Sequence, residues 1–171
     1  MKIHAGDIEI VVARYLDPRV NLIVPNVSWG LGLYEKDLFV LTPSGYAWEI
    51  EIKISKSDLI ADKKKPHGHY SEKIKRLYFA VPEFLGKEAL LHIPERAGLF
   101  IVIDGEEQKY IRLLRPAKIN KIARKLNDKE IEHLYKLAAM RIWSLKEIVY
   151  RLQREKEKEK IKTASGATKG E

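Results

Sequence analysis

Glu49, Glu51 and Lys53 recur at every second position of the stretch WEIEIKI, residues 48–54, with Trp48, Ile50, Ile52 and Ile54 between them. Side chains alternate across an extended strand, so a strand here has one apolar face and one face carrying two carboxylates and an ammonium. Such a face must meet water or a ligand. In the preceding run Glu35 and Asp37 share a face, and a hairpin turning at residues 43–45 (Pro-Ser-Gly) would bring Asp37 level with Glu51. Two carboxylates and an ammonium would then converge. The chain has no cysteine, so any metal must be held by carboxylate or histidine, and hard oxygen ligands are the default. The plainer alternative is a set of outward-facing charges on an antiparallel edge, where Glu and Lys deter aggregation. Against it, the strand leads straight into a capped helical segment and a later apolar run of the buried type.

The elements that must position these residues read as follows. Ile8, Val11, Val12, Tyr15 and Leu16 share one helical face, and Asp17-Pro18 ends the segment, which predicts a first helix over about residues 5–16. NLIVPNV and DLFVLT are short β-rich runs, and the charged strand completes a hairpin. Ser55 or Ser57 can cap a short helix through SKSDLIAD, which KKKPHGH breaks. YSEKIKRL reads as helical, YFAVP as a buried strand, EFLGKEALLHIP as helical or irregular, and AGLFIVID as a strand covered on both faces. Asp104-Gly105 turns the chain into KYIRLLRP. The order predicts an α/β domain with a mixed sheet. Asn127 with Glu130 resembles a capping box, and the apolar spacing from Ile131 through Leu152 predicts one long C-terminal helix whose face is mostly core. REKEKEKIK then lacks an apolar stripe, so the end is expected to fray.

A chain of 171 residues, 45% apolar and 33% charged, suits one compact domain plus an added helix. No apolar run approaches the roughly 20 residues needed to cross a bilayer, and no secretory signal is visible, so no membrane partner and a cytoplasmic location are expected. Lys and Arg exceed Asp and Glu by 32 to 24, and the excess survives removal of residues 151–171. A polyanionic partner and a merely soluble basic protein both fit that balance.

Asp37, then thirteen residues, then Glu51-Ile52-Lys53, set in hairpin strands between two helices, resembles the active site of the PD-(D/E)XK, or restriction-endonuclease-like, nuclease superfamily. Glu9 on the first helix stands where several members, including archaeal Holliday-junction resolvases, carry an additional acidic ligand. EIEIKISKSDLIADKKK, with LYFAVPE and AGLFIVI, is similar to uncharacterised phage and prokaryotic members over about residues 5–115. The proline expected before the motif aspartate is Lys36 here, a position that carries no ligand; Glu35 and Glu49 repeat the acidic chemistry one step out, and spacing to Lys53 selects Glu51.

The resemblance implies a restriction-endonuclease-like core over residues 1–118, a mixed central sheet flanked by helices, with a long C-terminal helix in an extension over 119–160 and a disordered tail over 161–171. It implies a Mg²⁺-dependent DNA endonuclease, with Mn²⁺ able to substitute, in DNA repair, recombination or phage DNA processing. Asp37, Glu51, the Ile52 carbonyl and Glu9 would hold the ion, which supplies a nucleophile near neutral pH and relief of phosphate charge. Lys53 would orient the attacking water and stabilise charge on the phosphate, worth about 3 to 4 kcal/mol if typical of one preorganised donor. Lys56, Lys63, Lys64, Lys65, Lys73 and Arg76 would let a DNA backbone track this face, although a lysine run is equally a solvated surface.

His67 and His69 read as a loop touching substrate or nothing, Trp29 as a packing residue, and Gly30-Leu31-Gly32 lacks the third glycine of a dinucleotide loop. Arg141, Trp143 and Lys146 could extend a DNA surface. The alternatives are a DNA-binding protein of the same fold that cuts slowly or not at all, and an assembly protein whose C-terminal helix forms a homodimer.

Overall fold

The computed structural model describes residues 3–27, 31–64 and 69–167, with side chains up to residue 161. Helix α1, Ala5–Tyr15, is followed by strands β1 (Leu22–Val27), β2 (Lys36–Leu41) and β3 (Ala47–Ile52), helix α2 (Lys56–Lys63) and strand β4 (Ile74–Pro82). A single 3₁₀ turn, Glu83–Leu85, leads into α3 (Gly86–His92), then β5 (Gly98–Asp104), β6 (Lys109–Arg115) and the long α4 (Asp128–Ala167). The six strands form one mixed sheet in sequence order. β1, β2 and β3 are antiparallel neighbours, β4 and β5 run parallel to β3, and β6 returns antiparallel. The expected mixed α/β architecture with a long C-terminal helix is the one observed.

The two faces of the sheet are covered by different helices, and side-chain parity assigns each strand residue to one of them. Ile8, Val11 and Val12 of α1 pack with Leu38, Val40, Ile50, Ala80 and Val102. Leu59 of α2 and Ala89 of α3 pack with Leu77, Phe79, Val81, Leu99 and Ile101. Strand β3 pairs with neighbours on both edges, so it is an interior strand and its charged face lies on the α2 and α3 side, opposite Leu77 and Phe79 of β4. The edge-strand alternative fails on this point.

Local signals explain several element starts. Ser55 accepts a hydrogen bond from the Asp58 N–H at 3.2 Å and so caps α2. At α4 the Asn127 side chain accepts from the Glu130 N–H at 3.0 Å while Glu130 accepts from the Asn127 N–H at 2.9 Å, the reciprocal capping box read from the sequence. Gly98 opens β5 where any Cβ would collide with the Tyr78 ring and approach the Ala117 nitrogen to 2.7 Å. That ring stacks on Phe100 with centroids 4.5 Å apart.

Two expectations are corrected. YSEKIKRL is not a helix: β4 begins at Ile74. This part of the strand pairs with β3 on one side, Asn120 donates to the Ile74 and Lys75 carbonyls, and its basic residues lie over aromatic rings, Lys75 over Tyr46 at 4.4 Å and Arg76 over Trp48 at 5.7 Å. The stripe on α4 is also not mostly core. Leu134 and Leu137 are buried, but Ile142, Leu145, Val149 and Leu152 are all about half exposed or more. Helical spacing establishes that residues share a face and leaves open whether anything covers it. The chain divides into two compact units between His133 and Leu134. Among the described residues no helix is long and apolar enough to cross a membrane.

Candidate metal and acid cluster

The hairpin brings the predicted residues to one strand end. Leu38 pairs with Ile50, and one step further Asp37 departs from regular pairing: its Oδ2 accepts a hydrogen bond from the Ile52 N–H at 2.6 Å. On the other edge of β2 the neighbouring β1 residue, Asn26, has a left-handed backbone with φ 51° between the pairs Pro25–Leu38 and Val27–Lys36. That conformation is unusual for a residue other than glycine. Asp37 is the solvent-facing member of the group, with 38% of its side chain exposed.

Glu51 and Lys53 lie deeper. The Lys53 Nζ is 2.7 Å from Glu51 Oε2, 3.1 Å from Asp62 Oδ1 and 3.8 Å from Asp37 Oδ2. Burial alone would pull the Lys53 ammonium down, but the charge and hydrogen bond of Glu51, with Asp62 and Asp37, outweigh it and hold the group above the ordinary lysine range. Lys53 is therefore a cation at neutral pH. Burial pushes the Glu51 carboxyl up; Lys53 opposes this, while Asp37 and Glu49 add to it. Glu9, from α1 on the opposite face, is raised by burial and by the charge of Asp37. Asp37 thus acts electrostatically on both Glu9 and Glu51, and carboxylates from three separate elements share one region.

Behind this group lies a set of residues that the motif does not contain. Lys36 Nζ donates to Glu49 Oε1 at 2.7 Å, and that oxygen also meets His69 Nδ1 at 2.5 Å. His69 Nε2 meets Asp62 Oδ2 at 2.8 Å. Glu49 is fully buried, and His69, Lys36 and Asp62 nearly so. Burial works against the charged imidazole, but the hydrogen bonds to Asp62 and Glu49 and the charges of Glu49 and Glu51 outweigh it and raise His69 to about 9. Burial would likewise raise Glu49, yet His69 and Lys36 pull it below the usual range. The result is a chain of alternating charge: Lys36, Glu49, His69, Asp62, Lys53, Glu51.

His69 is a correction to the expectation of a loop residue touching substrate or nothing. It is buried beneath the charged strand in a left-handed backbone conformation, φ 60°, with its carbonyl accepting from Arg96 at 2.5 Å. Lys36, passed over as a position without a role, is the buried counter-ion of Glu49. Asp62, which the motif reading did not single out, follows Leu59 by three residues, a spacing that could have placed it on the inward face of α2, where a carboxylate needs a partner. Nothing comparable marked His69, whose partners are seven and twenty residues away in sequence.

The basic residues divide. Lys56, Lys63 and Lys64 are exposed on or beside α2, and Lys56 pairs with Glu88 at 2.8 Å. Lys73 is committed internally, to Glu130 at 3.0 Å and to the Leu31 carbonyl. Arg76 donates to the Ala117 carbonyl at 3.2 Å. Their ammonium and guanidinium groups serve the fold rather than a solvent-facing patch. Lys65, His67, Trp29 and Gly30 lie outside the described residues. Arg141 is half-buried, and Trp143 and Lys146 are exposed, the ammonium 5.2 Å from the Trp143 ring centroid.

Among the described residues one group of three has ligand atoms close enough to share an ion, and a second, looser set has suitable donor chemistry. Ligand atoms of Glu49, Glu51 and His69 lie within 4.8 Å of one another, but both ring nitrogens of His69 face carboxylates, which makes the imidazole a double donor with no lone pair to offer. Asp37, Glu51 and Glu9 present only carboxylate oxygens. The alternating chain contains three cations and three anions and cancels internally, so Asp37 and Glu9 remain as an excess of negative charge. An all-oxygen donor set with surplus negative charge fits a hard divalent cation.

No curated protein matches the chain significantly. A solved structure, that of SPO1766 from Silicibacter pomeroyi, described as a protein of unknown function, is similar at 26% identity. The match covers 93% of this chain and 96% of that one, with a TM-score of 0.57. A family model described as DNA repair protein MmcB-like matches residues 7–148, which includes the whole sheet and every member of the charged cluster. The chain belongs to the MmcB-like family of DNA repair proteins.

Proposed function

We propose that the chain is a Mg²⁺-dependent deoxyribonuclease of PD-(D/E)XK type that hydrolyses phosphodiester bonds in DNA repair. The observation that carries this reading is the meeting of Lys53 with Glu51 and Asp37, at 2.7 and 3.8 Å, beside a Glu9 carboxyl that senses Asp37. The family's DNA repair description supports the choice of DNA as substrate.

Asp37, Glu51, the Ile52 carbonyl and Glu9 are the oxygen donors for the ion, which when bound supplies a nucleophile near neutral pH and charge relief on the phosphate. Mn²⁺ would substitute, having the same preference for oxygen ligands. Asp37 is fixed for this task by the Ile52 N–H, so its carboxylate needs little reorganisation. Lys53 is held charged by its carboxylate neighbours. It therefore acts as an electrostatic donor, orienting the attacking water and neutralising the developing phosphate charge, rather than as a base. The exposed Lys56, Lys63 and Lys64 place positive charge on the helix that carries Asp62, suited to non-specific phosphate contact.

The test is a cleavage panel of linear duplex, single strand, flap and four-way junction with Mg²⁺, Mn²⁺ or EDTA. Cutting should require the ion and be lost in Asp37→Ala, Glu51→Ala and Lys53→Ala while DNA binding is retained. Cutting that survives these substitutions, or no cutting of any substrate with either ion, overturns the proposal.

A further inference from the structure

Lys53 has three carboxylates around its ammonium, and they are not equivalent. Glu51 and Asp37 are the groups assigned above to a divalent cation. Once they face that ion they become weaker counter-ions for Lys53, while the ion itself repels the ammonium. Asp62 is the third carboxylate, on a different element, α2, and at 5% exposure. Its two oxygens have different jobs: Oδ1 lies 3.1 Å from Lys53 Nζ and Oδ2 lies 2.8 Å from His69 Nε2. His69 is itself immobilised, by Glu49 on its other nitrogen at 2.5 Å and by Arg96 on its carbonyl. Lys36 completes the series by neutralising Glu49. Such a chain fixes the direction in which the Asp62 carboxylate points.

We propose that Asp62 is a positioning residue of the site: clamped by His69, it is the counter-ion left to the Lys53 ammonium when Glu51 and Asp37 turn to a bound ion, and it keeps that ammonium in place beside the phosphate. The inference rests on the metal-site reading above. It makes the functional group Asp37, Glu51, Lys53 and Asp62, with the fourth member contributed from outside the strand motif. It also gives a reason for two buried acidic residues, Asp62 and Glu49, that bind no ion in this scheme.

The consequence is a coupling between Asp62 and Lys53 in metal affinity, which can be measured without DNA. Mn²⁺ is titrated calorimetrically into the full chain for wild type, Asp62→Asn, Lys53→Met and the double variant. In Asp62→Asn the ammonium leans wholly on Glu51 and Asp37 and competes with the ion, so affinity should fall about tenfold, within the usual range of coupling between contacting groups. In Lys53→Met no ammonium competes, and adding Asp62→Asn should change affinity by less than about twofold. His69→Gln should shift affinity in the same direction as Asp62→Asn, by less. For cleavage, Asp62→Asn should lower kcat and leave KM for DNA near wild type.

Unchanged affinity in Asp62→Asn overturns the inference. So does a tenfold loss that persists when Lys53 is methionine, since Asp62 would then be a ligand or a general support. Where Asp62→Asn alone does not fold, His69→Gln takes its place in the cycle: a loss of affinity that disappears when Lys53 is methionine supports the inference, and an unchanged affinity or a loss that persists overturns it. If wild type binds no Mn²⁺, the metal-site reading and this inference fall together; if it binds and cuts while the losses are additive, only this inference falls.

Discussion

Replacing His69 by glutamine takes one positive charge out of the middle of the buried chain, and its effect on stability should depend on pH in a set direction. The imidazole is raised to about 9 in the folded protein, against roughly 6.5 for an unperturbed histidine. Because the folded state holds the proton more tightly, the stabilisation is fully present below about pH 6.5 and is lost as pH rises through about 9. A rise of that size corresponds to about 3 kcal/mol, a large part of the 5 to 15 kcal/mol typical of a domain. His69 is only 3% exposed, so solvent screening takes away little of this. Urea unfolding in EDTA at about pH 6, 7.5 and 9.5 should show the gap between wild type and His69→Gln shrinking by about 3 kcal/mol over that range. A gap that stays constant, or widens with pH, would refute the assignment of His69 as a cation between Glu49 and Asp62.

Three further outcomes follow from the same geometry. Lys36→Met leaves the fully buried Glu49 with one fewer counter-ion and should cost about 3 kcal/mol in urea unfolding at neutral pH, whereas Lys56→Ala breaks an exposed pair and should cost under about 1 kcal/mol. Glu9→Gln should stabilise the metal-free protein at neutral pH, because the folded-state carboxyl is raised by burial and by Asp37 and a raised acid opposes folding above its unfolded pKa; the effect should vanish as pH falls below that value, and a destabilised variant in EDTA would contradict it. Leu145→Lys sits on an exposed stripe and should change unfolding free energy by no more than about 0.5 kcal/mol; a loss of several times that amount would show that the stripe is covered in solution.

How far the site could be read in advance depended on how far apart its parts lie in sequence. Asp37, Glu51 and Lys53 sit on adjacent strands joined by a short turn, so alternation and turn chemistry were enough to predict that they approach one another. Asp62 was not singled out, and only its spacing from Leu59 on a short helix could have suggested an inward-facing carboxylate. The pair His67 and His69 was visible, but nothing local assigned His69 its role, which comes from Glu49 and Asp62 reaching it from β3 and α2. The same limit explains β4: the local pattern of YSEKIKRL resembled a helix, and pairing with β3 together with hydrogen bonds from Asn120 made its second half a strand.

By itself the amino-acid sequence determined periodicity and chemistry: which residues share a face, where helices are capped, and that any metal ligand would be oxygen or nitrogen and not thiolate. These are properties of the local chain and of side-chain type, and they survive in any fold that keeps the elements. Only the tertiary structure decided that β3 is an interior strand, that Glu49 is a buried ion-pair partner while Glu51 faces Lys53 and Asp37, and that the stripe on α4 is exposed past Leu137. Burial and charge pairing arise between elements distant along the chain, and they set the pKa values on which the chemistry depends.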